Sequence, residues 1–363
     1  MSPKLNRRQF LQSSLVTGAA LGMSGLSGAA QGQDATPETT PQPSSALTPE
    51  ATSEATEPGN LPLTGAIRQV HDPCIIKADG IYYVFCTGDG IPVRQSTDLL
   101  NWESAFPASV FANVPDWAFN AIPGVTNLWA PDISFYNSKY HLYYAASTFG
   151  SNFSAIGLAT NTTLNSKTAG FNWVDEEMVM QSFKKDDYNC IDPNLVLDEN
   201  GDPWLAFGSF WSGIKMRRLD ASTGKLSSDD QTLYSIAQRP DPTDAIEGAF
   251  ITRRGKYFYL FASYDFCCRG AQSTYNVRVS RAEHVTGPYV DKDGVAALQG
   301  GGTEITFPTD RWKGPGHNGI LIDGDTYYIA YHAYDAQLNG TPTLRINPLI
   351  WDANGWPSIH ETD

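Results

Sequence analysis

Five stretches of the chain can be laid over one another: His71-Asp72-Pro73-Cys74-Ile75-Ile76, Ala130-Pro131-Asp132-Ile133-Ser134-Phe135, Ile191-Asp192-Pro193-Asn194-Leu195-Val196, Ile246-Glu247-Gly248-Ala249-Phe250-Ile251 and Gly316-His317-Asn318-Gly319-Ile320-Leu321. Each is followed by a short polar turn and a dense aromatic strand, such as Gly80-Ile81-Tyr82-Tyr83-Val84-Phe85 or Lys256-Tyr257-Phe258-Tyr259-Leu260-Phe261. The second position of the repeat reads Asp72, Pro131, Asp192, Glu247, His317, at spacings of about 60, 60, 55 and 70 residues. Propeller blades typically recur every 40 to 50 or so residues, so these spacings leave room for long loops.

One such unit cannot bury its apolar face alone, so copies must pack on copies, and radial packing about a channel is the economical solution. The repeat therefore predicts an all-β fold, a five-bladed β-propeller. The first strand of each blade lines the axis, and equivalent positions face one another at the channel mouth. Asp72, Asp192, Glu247 and His317 are expected to meet there.

The ends of the chain set its compartment and limits. Residues 1–33 read as a twin-arginine signal peptide, with Arg7-Arg8-Gln9-Phe10-Leu11 ahead of an apolar, glycine-rich stretch from Leu15 to Ala30. That stretch is too short and too diluted for a membrane span, which needs roughly 20 apolar residues. Residues 34–62 form a Thr/Pro/Ser/Glu-rich linker that cannot bury enough surface to offset its ordering entropy, and residues 63–363 remain as the catalytic propeller domain. Export to the periplasm, medium or cell surface follows.

The formal net charge is −14, and about −17 without residues 1–33, whose only charges are Lys4, Arg7 and Arg8. Such a surface disfavours nucleic acid, anionic membranes and strongly acidic polymers. A neutral ligand fits better, and an aromatic content of 12% suits a sugar-handling surface as well as the core of a propeller. Nothing demands more than a monomer. Of the five cysteines, Cys74, Cys86 and Cys190 are expected as buried thiols. The adjacent Cys267 and Cys268 either bridge to one another or stay reduced, and no zinc-ligand spacing is present.

Carboxylates gathered around one channel repel one another and lose solvation, which drives their pKa values apart. Glycoside hydrolysis needs that difference: one ionised carboxylate to activate water and one protonated carboxyl to donate to the leaving oxygen. Glu247, with the longer arm, is the expected general acid, Asp72 the general base, and Asp192 the neighbour that raises and orients the acid. A gap wide enough for a water between base and acid implies inversion.

These residues resemble glycoside hydrolase family 43, most closely its endo-1,5-α-L-arabinanases. The resemblance runs from Ile67 to Pro357. It rests on His71-Asp72-Pro73, Leu128-Trp129-Ala130-Pro131-Asp132, Ile191-Asp192-Pro193-Asn194, Phe207-Gly208-Ser209-Phe210-Trp211-Ser212-Gly213, Ile246-Glu247-Gly248, Tyr264-Asp265-Phe266-Cys267-Cys268-Arg269-Gly270, Thr286-Gly287-Pro288-Tyr289, Gly314-Pro315-Gly316-His317-Asn318-Gly319 and Gly355-Trp356-Pro357. It implies the same three carboxylate roles and a calcium ion on the axis with His317 as its protein ligand. It also implies substrate contacts at Trp129, Phe149, Gly150, Asn189, Ser209, Phe210 and Trp211. His71, His141, His284, His332 and His360 lie outside the repeated position and are expected to be structural or exposed. The run after Tyr275 departs from the family pattern, which leaves local loop contacts open.

The expected activity is cleavage of internal α-1,5 bonds of arabinan. An exo-arabinanase, an arabinofuranosidase or a β-xylosidase would use the same acids. A non-catalytic glycan-binding propeller is the reading from another class, and such a lectin would not need three acids in one ring.

Overall fold

A computed structural model describes residues 59–361, so the signal-peptide reading and the linker reading up to residue 58 lie outside the described residues, while Leu61, placed in the linker from sequence, is tied to the propeller through Ile346 O. Within them the chain forms successive sheets in which consecutive strands pair antiparallel, apart from residues 64–65, which join the outer edge of the first in parallel. The innermost strands are Cys74–Ala78, Trp129–Tyr136, Asn194–Leu197, Ile246–Arg254 and Trp312–Asp323. Each touches the innermost strand of the next blade, and the fifth touches the first, so they close a ring about an axis. The protein is a five-bladed β-propeller, and among the described residues its one α-helix is the short Asp116–Ala121.

The aromatic density of the second strands has a simple cause. Side chains in a strand alternate between faces, and a blade is covered on both faces by its neighbours. In the strand Ile81–Phe85, Tyr83 and Phe85 pack toward the second blade while Tyr82 and Val84 pack toward the fifth. In Tyr257–Tyr264, Phe258, Leu260, Ala262 and Tyr264 face the third blade while Tyr259 and Phe261 face the fifth. The large apolar clusters each fill one space between adjacent blades, and together they fill every such space around the ring.

The fifth blade contributes three strands of its own, Trp312–Asp323, Thr326–Asp335 and Thr341–Pro348. Its outer edge is covered by the segment that leads into the first blade. Leu344 N donates to Ile67 O at 2.8 Å, Leu61 N donates to Ile346 O at 2.9 Å, and Arg68 bridges Thr343. Residues 64–65 then pair in parallel with the outer strand of blade one, Asn101–Ser109. One segment thus spans the junction between first and last blades and hides two sheet edges that would otherwise be open.

A second tie runs between blades. The buried Asp132 carboxylate accepts from Asn194 Nδ2 (3.0 Å) and Leu195 N (2.8 Å), and Asn194 Oδ1 accepts from Ile251 N (2.7 Å). Blades two, three and four are joined by this chain of polar contacts. Cys74, Cys86 and Cys190 are buried thiols as expected, and Cys267 and Cys268 bridge to one another.

Candidate active site

Strand register identifies the equivalent positions. Beyond the irregular start of each innermost strand, pairing begins at Cys74 with Phe85, Asp132 with Tyr143, Asn194 with Ala206, Phe250 with Phe261 and Gly319 with Ala330. Two residues before these lie Asp72, Ala130, Asp192, Gly248 and His317, all in the left-handed region at φ of 50°, 42°, 56°, 59° and 50°. The repeated position read from sequence is therefore one residue out in two blades, because Pro131 and Glu247 flank it rather than occupy it. Left-handed backbone is uncommon outside glycine, and especially so before proline as at Asp72, Ala130 and Asp192. Such outliers cluster at functional sites. Two adjacent rings face the mouth: Asp72, Ala130, Asp192, Gly248, His317, and the residues just before them, His71, Trp129, Ile191, Glu247 and Gly316.

Contacts link the expected residues into one site. The Gly248 amide, directly after Glu247, donates to Asp192 Oδ2 at 2.9 Å. A Cβ on Gly248 would lie 3.1 Å from His317 Nδ1, and that nitrogen is 3.2 Å from Asp72 Oδ1. All four residues lie around one axis. Asp72 Oδ2 accepts from Thr87 Oγ1 at 2.6 Å and pairs with His71 Nδ1 at 2.8 Å. Burial would raise the Asp72 carboxyl, but His71, His317 and His332 outweigh it and hold the group well below the usual carboxylate range. Glu247 Oε2 accepts from Ser209 Oγ at 2.6 Å and Oε1 from Tyr275 OH at 3.1 Å. Burial, then the charges of Glu247, Asp192 and Asp72, push the Tyr275 hydroxyl up, so that phenol stays neutral and donates.

The expected sugar contacts divide. Ser209 is buried and its hydroxyl is spent on Glu247, so it positions the acid rather than meeting ligand first. Phe210 and Trp211, both left-handed and half-buried, turn beside it, with Phe210 N donating to Ile246 O. Phe149 is 57% exposed, and beside it Gly150 (φ 77°) has open space where a Cβ would stand. Trp129 is half-buried in the ring before Ala130, its Nε1 donating to Asn127 Oδ1. Asn189 is buried, and its Oδ1 has no hydrogen-bond partner among the described residues.

Two histidines expected to be merely structural or exposed belong to the site. His71 touches the Asp72 carboxylate, and His332 accepts the Asp72 amide at 3.1 Å. Tyr275, Thr87 and Tyr334 also join it. Position alone could have flagged His71, which occupies the same ring place as Glu247. His141, stacked on Tyr136, and the exposed His284 and His360 stand as expected.

A cation at His317 would have to bind through Nε2, since Nδ1 faces Asp72. Burial lowers the His317 pKa and favours the neutral form that ligation requires. The next residue, Asn318, is buried with both amide atoms unpartnered among the described residues. One neutral imidazole with Nε2 available fits an ion whose other ligands are water, the hard-oxygen environment that calcium prefers.

The sequence also matches Glycosyl hydrolases family 43 across residues 66–357. The chain belongs to glycosyl hydrolase family 43. As a member of it, the protein is a glycoside hydrolase. It is 45% identical over 307 residues to the extracellular endo-alpha-(1->5)-L-arabinanase 1 of Bacillus subtilis, covering 83% of this chain and 91% of the relative. It is 39% identical over 305 residues to the extracellular exo-alpha-(1->5)-L-arabinofuranosidase of Cellvibrio japonicus, covering 81% of this chain and 87% of that one. The solved family 43 endo-arabinanase of Bacillus licheniformis superimposes with a TM-score of 0.76 at 45% identity, covering 82% of this chain and 99% of that one.

Proposed function

We propose that this family 43 enzyme is an exported arabinanase that hydrolyses internal α-1,5-L-arabinofuranosidic bonds with inversion. The observation that carries the substrate is the 45% identity to a named endo-arabinanase across most of both chains. Export is supported by the twin-arginine pattern of residues 1–33 and by the extracellular relatives. Among the described residues no helix is long and apolar enough to cross a membrane.

In this mechanism Asp72 is the base. The hydrogen bonds that Thr87 and His71 give to one of its oxygens favour the ionised carboxylate. Glu247 is the acid: Ser209 and Tyr275 hold its two oxygens while it gives its proton to the leaving sugar oxygen. Asp192 accepts from the peptide N–H after Glu247 and so orients the acid. The orphan Asn189 Oδ1 accepts a sugar hydroxyl, and Phe149, Phe210, Trp129 and Trp211 offer faces to furanose rings. His317 would hold calcium through Nε2, where the ion would supply positive charge beside Asp72, and the protein acts as a monomer.

The test is release of reducing ends from linear arabinan. Glu247→Gln is expected to lower kcat by about 10²- to 10⁴-fold, the usual contribution of general acid catalysis. A variant as active as the wild type removes Glu247 from the role. Oligomer mixtures among early products support endo attack. A single small product supports the exo reading, which the 39% identity to a named exo-enzyme favours. Proton NMR of the first anomer tests inversion, and metal analysis of purified protein with and without His317→Gln tests the ion.

A further inference from the structure

Behind Asp72 lies a group of side chains that the hydrolytic steps above do not use. His71 and His332 stack with ring centroids 4.0 Å apart, and the Tyr334 hydroxyl reaches both, His71 Nε2 at 2.9 Å and His332 Nε2 at 3.3 Å. The same hydroxyl accepts from the backbone N–H of Cys268, in the bridged Cys267–Cys268 pair, at 2.8 Å. We infer that Tyr334 fixes the direction of a closed hydrogen-bond relay that holds His71 as a neutral Nδ1–H donor on Asp72 Oδ2 and leaves Asp72 Oδ1 to take the proton from water. The inference rests on Asp72 being the base.

Two backbone amides determine every direction, because an amide N–H can only donate. The Asp72 amide donates to His332 Nδ1, so that nitrogen carries a lone pair and the ring proton sits on Nε2. His332 Nε2–H therefore donates to Tyr334. The Tyr334 oxygen then accepts twice, from His332 and from the Cys268 amide, which fills its acceptor capacity. Its own O–H must point at the remaining partner, His71 Nε2. That nitrogen is thus a lone pair, and the His71 proton lies on Nδ1, facing Asp72 Oδ2 at 2.8 Å. The relay leaves Asp72 through its amide and returns to it through its carboxylate.

A third amide makes the same argument on the other side. Ala130 N donates to Thr87 Oγ1 at 2.8 Å, which turns the Thr87 O–H toward Asp72 Oδ2 at 2.6 Å. Oδ2 is then occupied by two donors of fixed direction, whereas Oδ1 meets only His317 Nδ1, at 3.2 Å, and is the oxygen with capacity left for the water proton. Doubly protonating His71 would set an N–H against a Tyr334 oxygen already accepting twice. The three side chains His71, Asp72 and His332 have ligand atoms close enough for a metal. The lone pair of His332 Nδ1 is spent on the Asp72 amide, however, and the Nδ1 of His71 carries a proton.

The experiment is nitrogen-15 NMR of the full chain labelled at histidine, at pH 8, assigned with single-histidine variants. His71 is expected with Nδ1 protonated and Nε2 bare, and His332 with the reverse. His71 seen as an Nε2–H tautomer or an imidazolium overturns the relay. Tyr334→Phe removes the hydroxyl that joins the two imidazoles. It is expected to lose the His71 tautomer and lower kcat by roughly 10- to 100-fold, the scale of misplacing a reacting group, with KM little changed. Tyr334→Phe with unchanged tautomers and kcat also overturns the proposal. If that variant does not fold, the wild-type spectrum alone decides. Asp72→Asn that stays active while His71 keeps its expected tautomer refutes the base assignment and leaves the relay standing.

Discussion

Gly316 shows how closely single residues are fitted around the acid. A Cβ there would lie 2.2 Å from the Tyr275 ring, nearer than real side chains approach, and its backbone is not left-handed. The absent side chain makes room for the phenol that reaches Glu247. Gly316→Ala is expected to cost about 1–3 kcal/mol, as overpacking does, and to lower kcat about tenfold by moving the Tyr275 hydroxyl off Glu247. Thermal unfolding and steady-state kinetics together check this. A variant equally destabilised with full kcat would place Tyr275 outside the chemistry. At this scale the carboxylates were legible in sequence because the acids fall at or beside strand entries that a ring of blades gathers about one axis. His332 and Tyr334 were not. They reach the axis from a second strand, through pairing with the strand that carries His317, and nothing local in Tyr331-His332-Ala333-Tyr334 distinguishes a core position from one behind the base.

Between residues and the ring stand the strand entries, where the sequence reading slipped by one. Alignment by composition put Pro131 and Glu247 into the repeated position, whereas pairing register puts Ala130 and Gly248 there. The quantity that repeats is a backbone conformation, φ near 50°, which aspartate, alanine, glycine and histidine adopt in turn. Composition does not report it. The inter-blade tie at Asp132 belongs to the same scale. Its carboxyl is buried, and desolvation raises it to about 6 despite the donors from Leu195 and Asn194. The folded pKa lies above the unfolded one, so the folded state binds more protons between about pH 4 and pH 6, and this group's contribution to stability falls as pH rises through that window. The stability of the wild type relative to Asp132→Asn, which does not titrate there, should therefore shrink by on the order of 2–3 kcal/mol from pH 4 to pH 6.5. Urea unfolding of both proteins across that range measures it. A constant difference would mean that Asp132 is ionised throughout.

At the scale of the whole ring, stability depends on how the circle is closed. Each interface between blades is an apolar cluster, so an opened junction exposes one complete cluster while the others stay covered. The junction between first and last blades is the only one the chain does not cross in sequence, and residues 61–70 hold it. Their amides and carbonyls pair with the strand Thr341–Pro348, and Leu61, Leu63, Ile67 and the fully buried Val70 pack into the cluster between those two blades. Burying an apolar side chain contributes about 1.5–3 kcal/mol. Losing this segment should then cost on the order of 5 kcal/mol, which for a domain of this size lowers Tm by about 10 °C. A chain beginning at residue 59 is expected to match the full-length protein in Tm and kcat/KM, because the closing segment is intact. One beginning at residue 71 should lose the Tm and, with it, activity at temperatures where the longer form is fully active. Restoring residues 59–70 as a separate peptide should recover part of the loss if pairing to the outer edge of blade five is the cause. Equal melting of the two truncated chains would show that the ring closes without this segment.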